Sequence, residues 1–157
     1  MLFDGGTVWR ITSTRHASHA YDGEGARLWG GRWNHPGVPM VYCSRTLSLA
    51  ALEYFVHLEP DVAPSLVAIS AELPAVLTAE IWEVGSLPAN WRTYPAPERL
   101  QDLGTAWIRS GRSSVLLLPS SVIPQERNVL LNPAHPDFPK IKLHKAEPFS
   151  FDPRMWK

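Results

Sequence analysis

A compact α+β domain built on mixed, mostly antiparallel sheets with a few helices is the fold predicted by three features of the 157-residue sequence. Apolar residues make up 45% and charged residues 19%, the balance of a globular chain rather than a disordered one. Strand-like segments outnumber those with helical spacing, and the two kinds do not alternate regularly, which argues against a parallel α/β sheet. Fifteen prolines, about twice the usual ~5% share, predict short elements joined by long, stiff connections. The length suits one domain over residues 1–157.

Thr7 to Thr12 (TVWRIT) alternates as a strand, with Val8 and Arg10 on one face and Trp9 and Ile11 on the other. Arg10 is then either an edge residue reaching solvent or a buried ligand for an anion, and strand position does not decide between them. Ser13 to Gly31 reads as a long loop rich in Gly, His and Arg, a kind that is usually functional or mobile. A short strand is expected at Val38 to Cys43, a turn at Ser44 to Thr46, and an amphipathic helix over Leu47 to Leu58. Pro60 to Pro64 is a turn, and Leu66 to Leu73 a half-buried strand with Val67, Ile69, Ala71 and Leu73 on one side. Thr78 to Val84 is a further strand, followed by a Pro-rich connection from Asn90 to Pro97 that carries Trp91 and Tyr94. Leu100, Leu103, Trp107 and Ile108 are spaced for a helix over Glu98 to Arg109, with Pro97 before it and Gly111 after it. Ser114 to Leu118 is a continuous apolar strand ended by Pro119-Ser120-Ser121, Arg127 to Leu131 another strand, and Ile141 to Ala146 a Lys-bearing edge strand. Trp82 and Trp107 are expected in the core.

Several function classes are excluded or disfavoured. Fifteen Lys and Arg balance fifteen Asp and Glu, without the basic excess of a nucleic-acid binder. The longest apolar stretch, Val115 to Ile123, is short and broken by Pro119, so no membrane span is expected. The start MLFDGGTVWR has neither a basic nor an apolar leader region, and Cys43 is the single cysteine, so a reducing cytoplasm is expected. His16 and His19 have no ligand cluster at metal spacing, so no metal is expected. The glycines at 23, 25, 30 and 31 fail the dinucleotide fingerprint, because the third glycine would fall on Leu28. No Walker loop, nucleophile elbow or HExxH helix occurs. A Cys43–His57 pair would need a surface thiol, whereas Cys43 ends an apolar strand.

The segment Gly30 to Leu58 carries the most unusual placement. Glu53 has Leu49, Ala50, Val56 and His57 as its helical neighbours, so its carboxylate lies on or beside the apolar face. Such a group either bends out to water or meets a cation or a ligand hydroxyl. Seven tryptophans, some in loops, suit a pocket for flat rings. The remaining polar groups form a set of unlike chemistry: Arg10, Arg32, Tyr42, Glu53 and the Ser120/Ser121 pair.

WRI near the start, GGRWN, VYCS, the ALEYFVHLE helix, LPSSVIPQERN and NPAHPDF occur in one order from about Val8 to Asp152, and together they resemble the RES-domain toxins of bacterial toxin–antitoxin pairs. The resemblance implies a fold similar to ADP-ribosyltransferases, degradation of NAD as substrate with no cofactor, and a partner antitoxin of the Xre helix-turn-helix type that blocks the pocket. Carried over by residue, it places the family Arg on Arg10 or Arg32, the Tyr on Tyr42, the Glu on Glu53 and the Ser on Ser120, with Ser121 the alternative. Trp33 and Asn34 of GGRWN join Ser120 and Ser121 as implied substrate-binding residues. The chemistry agrees: cleavage of the nicotinamide–ribose bond builds positive charge on the ribose, which a fixed carboxylate stabilises, while guanidinium groups grip phosphates. Tyr42 offers a ring to nicotinamide, and Ser120 a hydroxyl to phosphate or amide. Three readings follow: an NAD glycohydrolase or phosphorylase, an ADP-ribosyltransferase acting on a protein, and a non-catalytic interaction module. The oligomeric state, a homodimer included, is left open.

Overall fold

The computed structural model describes residues 3–58 and 65–156; the turn expected at Pro60 to Pro64 lies outside the described residues. Its elements are β1 (Gly6–Ser13), α1 (Glu24–Trp29), β2 (Val41–Ser44), α2 (Leu47–Phe55), β3 (Leu66–Leu73), β4 (Ala79–Ile81), α3 (Glu98–Ser110), β5 (Val115–Pro119), β6 (Arg127–Leu131), β7 (Lys142–Leu143) and β8 (Glu147–Phe149). The described strands form one sheet in the order β4-β5-β6-β2-β1-β3-β7, with β8 also on β3. Every pairing is antiparallel except β4 with β5.

Strand alternation sorts the core onto the two faces of this sheet. Val8, Val41, Cys43, Ile69, Leu117 and Val129 pack on one side. Met40, Leu116, Leu118 and Leu130 face the other way, where Trp107 and Leu100 of α3 cover them. β5 is buried along its whole length, the reason its sequence is continuously apolar. α2 starts at the Thr46 cap, whose hydroxyl accepts from the Leu49 N–H at 3.1 Å. It lays Ala50 against Ile11, Leu66 and Ala68. Leu118 and Asn128 are register partners, and Asn128 bonds a side chain of α2, so α2 and α3 stand on the same face of the sheet.

Three expectations need correction. The expected loop at Ser13 to Gly31 contains a 3-10 turn at Thr14–His19 and the six-residue α1, framed by Gly23 and Gly30 in positive-φ conformations. An element that short carries too little periodicity to be seen. The single edge strand at Ile141 to Ala146 is instead two strands, β7 against Ala71 and Glu72 and β8 against Leu66 to Ala68, while Ile141 itself turns into the core. The predicted strand over Thr78 to Val84 keeps only three residues as β4, because Val84–Ser86 form a 3-10 turn. Trp107 is fully buried and Trp82 packs half-buried against the α3 side of the core.

Gly104 shows how closely α3 approaches the loop before β2. A Cβ built there would lie 1.8 Å from the carbonyl oxygen of Trp33. Helix propensity alone predicts that Gly104→Ala gains up to ~1 kcal/mol. The contact reverses the sign: the substitution is expected to lower the urea unfolding free energy by about 1–3 kcal/mol. A gain in stability would show that α3 and the loop are not in this contact.

Candidate active site

β1 and β2 share one register pair, Trp9 with Ser44, and then separate, whereas β1 follows β3 over its whole length. The guanidinium of Arg10 bridges the parting strands by donating to the Tyr42 carbonyl at 2.9 Å. On the helical face above this split lies a cleft of about 1230 Å³, lined among others by Arg10, Arg32, Trp33, Tyr42, Glu53 and Ser121. Its volume exceeds the ~300–1,000 Å³ of ordinary small-molecule pockets.

Glu53 enters the cleft from α2 because it follows Ala50 by three residues and Leu49 by four, and both of those are buried. Its Oε1 accepts from the Ser120 hydroxyl at 2.6 Å and from Asn128 Nδ2 at 2.7 Å. Ser120 in turn accepts the backbone N–H groups of Val122 and Ile123, both at 3.0 Å, so its single proton is directed to Glu53. Asn128 accepts the Ser44 hydroxyl on Oδ1 at 2.7 Å. Oε2 makes no hydrogen bond among the described residues and is not a buried orphan, which leaves it open to the cleft.

The loop opposite Glu53 is held by Asn34 and Tyr42. Asn34 is fully buried and its amide donates to the carbonyls of Ala26 and Val38 at 2.8 and 2.9 Å. Its Oδ1 accepts the Tyr42 hydroxyl at 2.7 Å, and that hydroxyl accepts the Trp33 N–H at 2.9 Å. Gly31 is required here, since a Cβ would stand 2.7 Å from the Tyr42 oxygen. Burial pushes the Tyr42 hydroxyl above the usual phenol range, keeping it a neutral donor. Arg32 projects from this loop and donates to the Trp91 and Thr93 carbonyls at 3.0 and 3.2 Å, both through one terminal nitrogen. Burial lowers its pKa, and the strongest opposing influence is the charge of Glu53.

The structure therefore brings Glu53, Arg10, Arg32, Tyr42, Trp33 and Ser121 to one cleft. Ser120 and Asn34 lie beneath it, fully buried. The Ser120 proton is committed to Glu53 and the Asn34 side chain to the loop, so neither offers a free group to a ligand as expected from sequence. Tyr42 presents its ring while its hydroxyl is internally bonded. Cys43 is buried, and burial pushes its thiol up to about 12, which removes it as a nucleophile. Sequence reading missed Asn128 and Arg92. Arg92 lines the rim and donates to the Ser121 and Val122 carbonyls at 2.7 and 3.3 Å. Asn128 had one signal: a polar residue at the start of the apolar strand RNVLL. His16 and His19 lie in the 3-10 turn, where His19 Nδ1 is 2.8 Å from Asp22.

Comparison with known proteins adds an independent line. The family model described as "RES domain" matches residues 7–152. A "Prs ADP-ribosylating toxin" of Sphingobium sp. (strain YBL2) is 40% identical, with 95% of this chain and 96% of the relative covered. A "Toxin Res" of Yersinia enterocolitica is 37% identical, with 94% and 98% covered. Among solved structures, the "M.tuberculosis MbcT-MbcA toxin-antitoxin complex" contains a chain that superposes with a TM-score of 0.72 at 18% identity, covering 99% of this chain and 88% of that one. The last likeness is one of fold.

Two outcomes test this geometry. Tyr42→Phe strands the Trp33 N–H and Asn34 Oδ1, and is expected to cost about 1–3 kcal/mol by chemical denaturation. Unchanged stability would mean that the two groups find another partner. The Cys43 thiol should resist an aromatic disulfide reagent at pH 8 in the native protein and react fully in denaturant; rapid native labelling would contradict its burial.

Proposed function

This chain belongs to the RES domain family, and on that footing we propose that it is the toxin of a toxin–antitoxin pair that consumes NAD by cleaving the bond between nicotinamide and ribose. The observation that carries the reading is the Glu53 carboxylate, fixed at Oε1 by two neutral donors and open at Oε2, in a cleft that also holds Arg10 and Arg32. The cleft has room for a dinucleotide, and its polar groups match the charges that the reaction creates.

The C1′–N bond breaks with its electron pair moving to the pyridinium, which leaves as neutral nicotinamide. Positive charge appears on the ribose carbon and ring oxygen. Glu53 Oε2 faces that charge and takes a hydrogen bond from a ribose hydroxyl; its stabilising effect grows as the charge develops. Arg32, cationic and with a terminal nitrogen beyond the one bonded to Trp91 and Thr93, pairs with the pyrophosphate. Arg10 adds positive potential from the cleft floor and Tyr42 supplies a ring face, while Trp33, buried against Trp82, backs the wall. Water or inorganic phosphate then attacks C1′ from the vacated side; the proton released goes to Glu53 or to solvent. The products are ADP-ribose or its 1-phosphate.

Transfer of ADP-ribose to a protein is the second reading, favoured by the name of the relative from Sphingobium. Both readings use the same Glu53 and differ only in what attacks C1′. A small helix-turn-helix antitoxin of the Xre type is the proposed partner; the fold neighbour comes from a toxin–antitoxin complex. The described residues include no helix long and apolar enough to cross a membrane, and the cytoplasm is the proposed compartment, where NAD is available.

Glu53→Gln keeps the bonds at Oε1 within reach but removes the charge, and nicotinamide release is expected to fall about 10²–10³-fold with the fold retained. An unchanged rate would rule out the proposed chemistry. Chromatography of NAD incubated with and without phosphate, beside a labelled-NAD incubation with cell extract, assigns the acceptor: ADP-ribose, its 1-phosphate, or label on a macromolecule.

A further inference from the structure

We infer that Asn128 is a positioning residue for Glu53, and that Ser44 holds its amide in place from the far side. The inference rests on the reading above and assigns parts to two cleft-lining residues that act through Glu53.

The sheet supplies the geometry. Leu118, Asn128, Ser44 and Trp9 are successive register partners across β5, β6, β2 and β1, so they form one row on the helical face. Asn128 and Ser44 are the polar pair in the middle of that row, directly under α2. A side-chain amide has two ends of opposite character and nearly equal shape. Turned one way, Asn128 donates to Glu53; turned the other, its oxygen would face the carboxylate and repel it. A carboxylate only accepts, so it draws Nδ2 toward itself, and the Ser44 hydroxyl donates at 2.7 Å to the Oδ1 left on the far side, holding the amide there. Nδ2 is then 2.7 Å from Glu53 Oε1, the same oxygen that Ser120 holds at 2.6 Å.

Two donors on one oxygen make the two ends of the carboxylate unequal. Oε1 is anchored to the sheet by Asn128 and to the loop after β5 by Ser120, two points that fix the rotation of the group as well as its position. Oε2 is thereby held toward the cleft with no partner among the described residues. Either donor alone would leave the carboxylate free to turn about a single contact. Asn128 acts on the rate of bond cleavage through Glu53, and substrate affinity is set elsewhere in the cleft, so its loss should appear in kcat and not in KM.

Steady-state nicotinamide release tests this. Asn128→Asp keeps the shape, removes the donor and places oxygen against oxygen; kcat is expected to fall at least about tenfold while KM for NAD stays within about threefold. Ser44→Ala should reduce kcat by a smaller factor, and Ser44→Thr, which keeps the hydroxyl, should restore it. In the Asn128→Ala background Ser44→Ala should have no further effect, because Ser44 works through Asn128. A crystal structure of Asn128→Ala should show the Glu53 carboxylate turned away from its present orientation, a readout that does not depend on turnover. Normal kcat in a folded Asn128→Asp protein, or an unmoved Glu53 in the Asn128→Ala structure, overturns the inference. Independent, multiplicative effects of Ser44→Ala and Asn128→Ala overturn the part given to Ser44. Release that responds to Glu53→Gln but not to Asn128→Asp removes only this inference; release that responds to neither removes the underlying reading with it.

Discussion

A carboxylate taken out of water costs several kcal/mol unless its lost hydration is replaced, and the centre of this structure is organised around that replacement at Glu53. A salt bridge would have been one solution. The protein instead gives Oε1 two neutral donors, Ser120 and Asn128, at 2.6 and 2.7 Å. Hydrogen bonds to a charged acceptor stabilise by about 1.5–3 kcal/mol each, enough to offset much of the desolvation. Arg32 feels Glu53 across the cleft without a direct bond to it among the described residues.

The supports of that carboxylate come from distant parts of the chain. Ser120 follows β5, where the Val122 and Ile123 N–H groups orient its hydroxyl, and Asn128 is the second residue of β6. Ser44 ends β2 and Glu53 stands on α2. The opposing wall uses the same device in a neutral form: Tyr42 and Asn34 exchange one hydrogen bond and between them hold the loop that carries Arg32. Glu53 is thus anchored at one oxygen by the scaffold, and Arg32 projects from a loop that the scaffold holds, which limits how far either can move.

Arg10 joins these two walls. The separation of β1 from β2 after a single register pair leaves the Tyr42 carbonyl beside a gap, and the guanidinium enters that gap from the face opposite α2. Its Nε is buried with no partner in the described structure, while the rest of the group reaches the cleft floor. One arginine therefore closes the split in the sheet and adds positive potential beneath the bound substrate's position in the proposed reaction.

Local pattern determined a good part of this protein. Period-two alternation located β3 from Leu66 to Leu73, the continuous apolar run located β5, and helical spacing located α2 and α3 and put Glu53 on or beside the apolar face of its helix. Those signals are legible because they depend on neighbours a few residues away. The ordered motifs, from WRI to NPAHPDF, carried the family resemblance for the same reason. What meets Glu53 was decided only by the tertiary structure: Ser120 and Asn128 lie 67 and 75 residues away in sequence, and no spacing rule relates them to a helix. The roles of Ser120 and Asn34 as internal supports, the passage of Arg10 through the split sheet, and the pairing of Ser44 with Asn128 likewise follow from strand register. Register is a property of the assembled sheet, set by burial on both faces at once, and a one-residue slip would turn Asn128 away from the cleft while leaving the sequence unchanged.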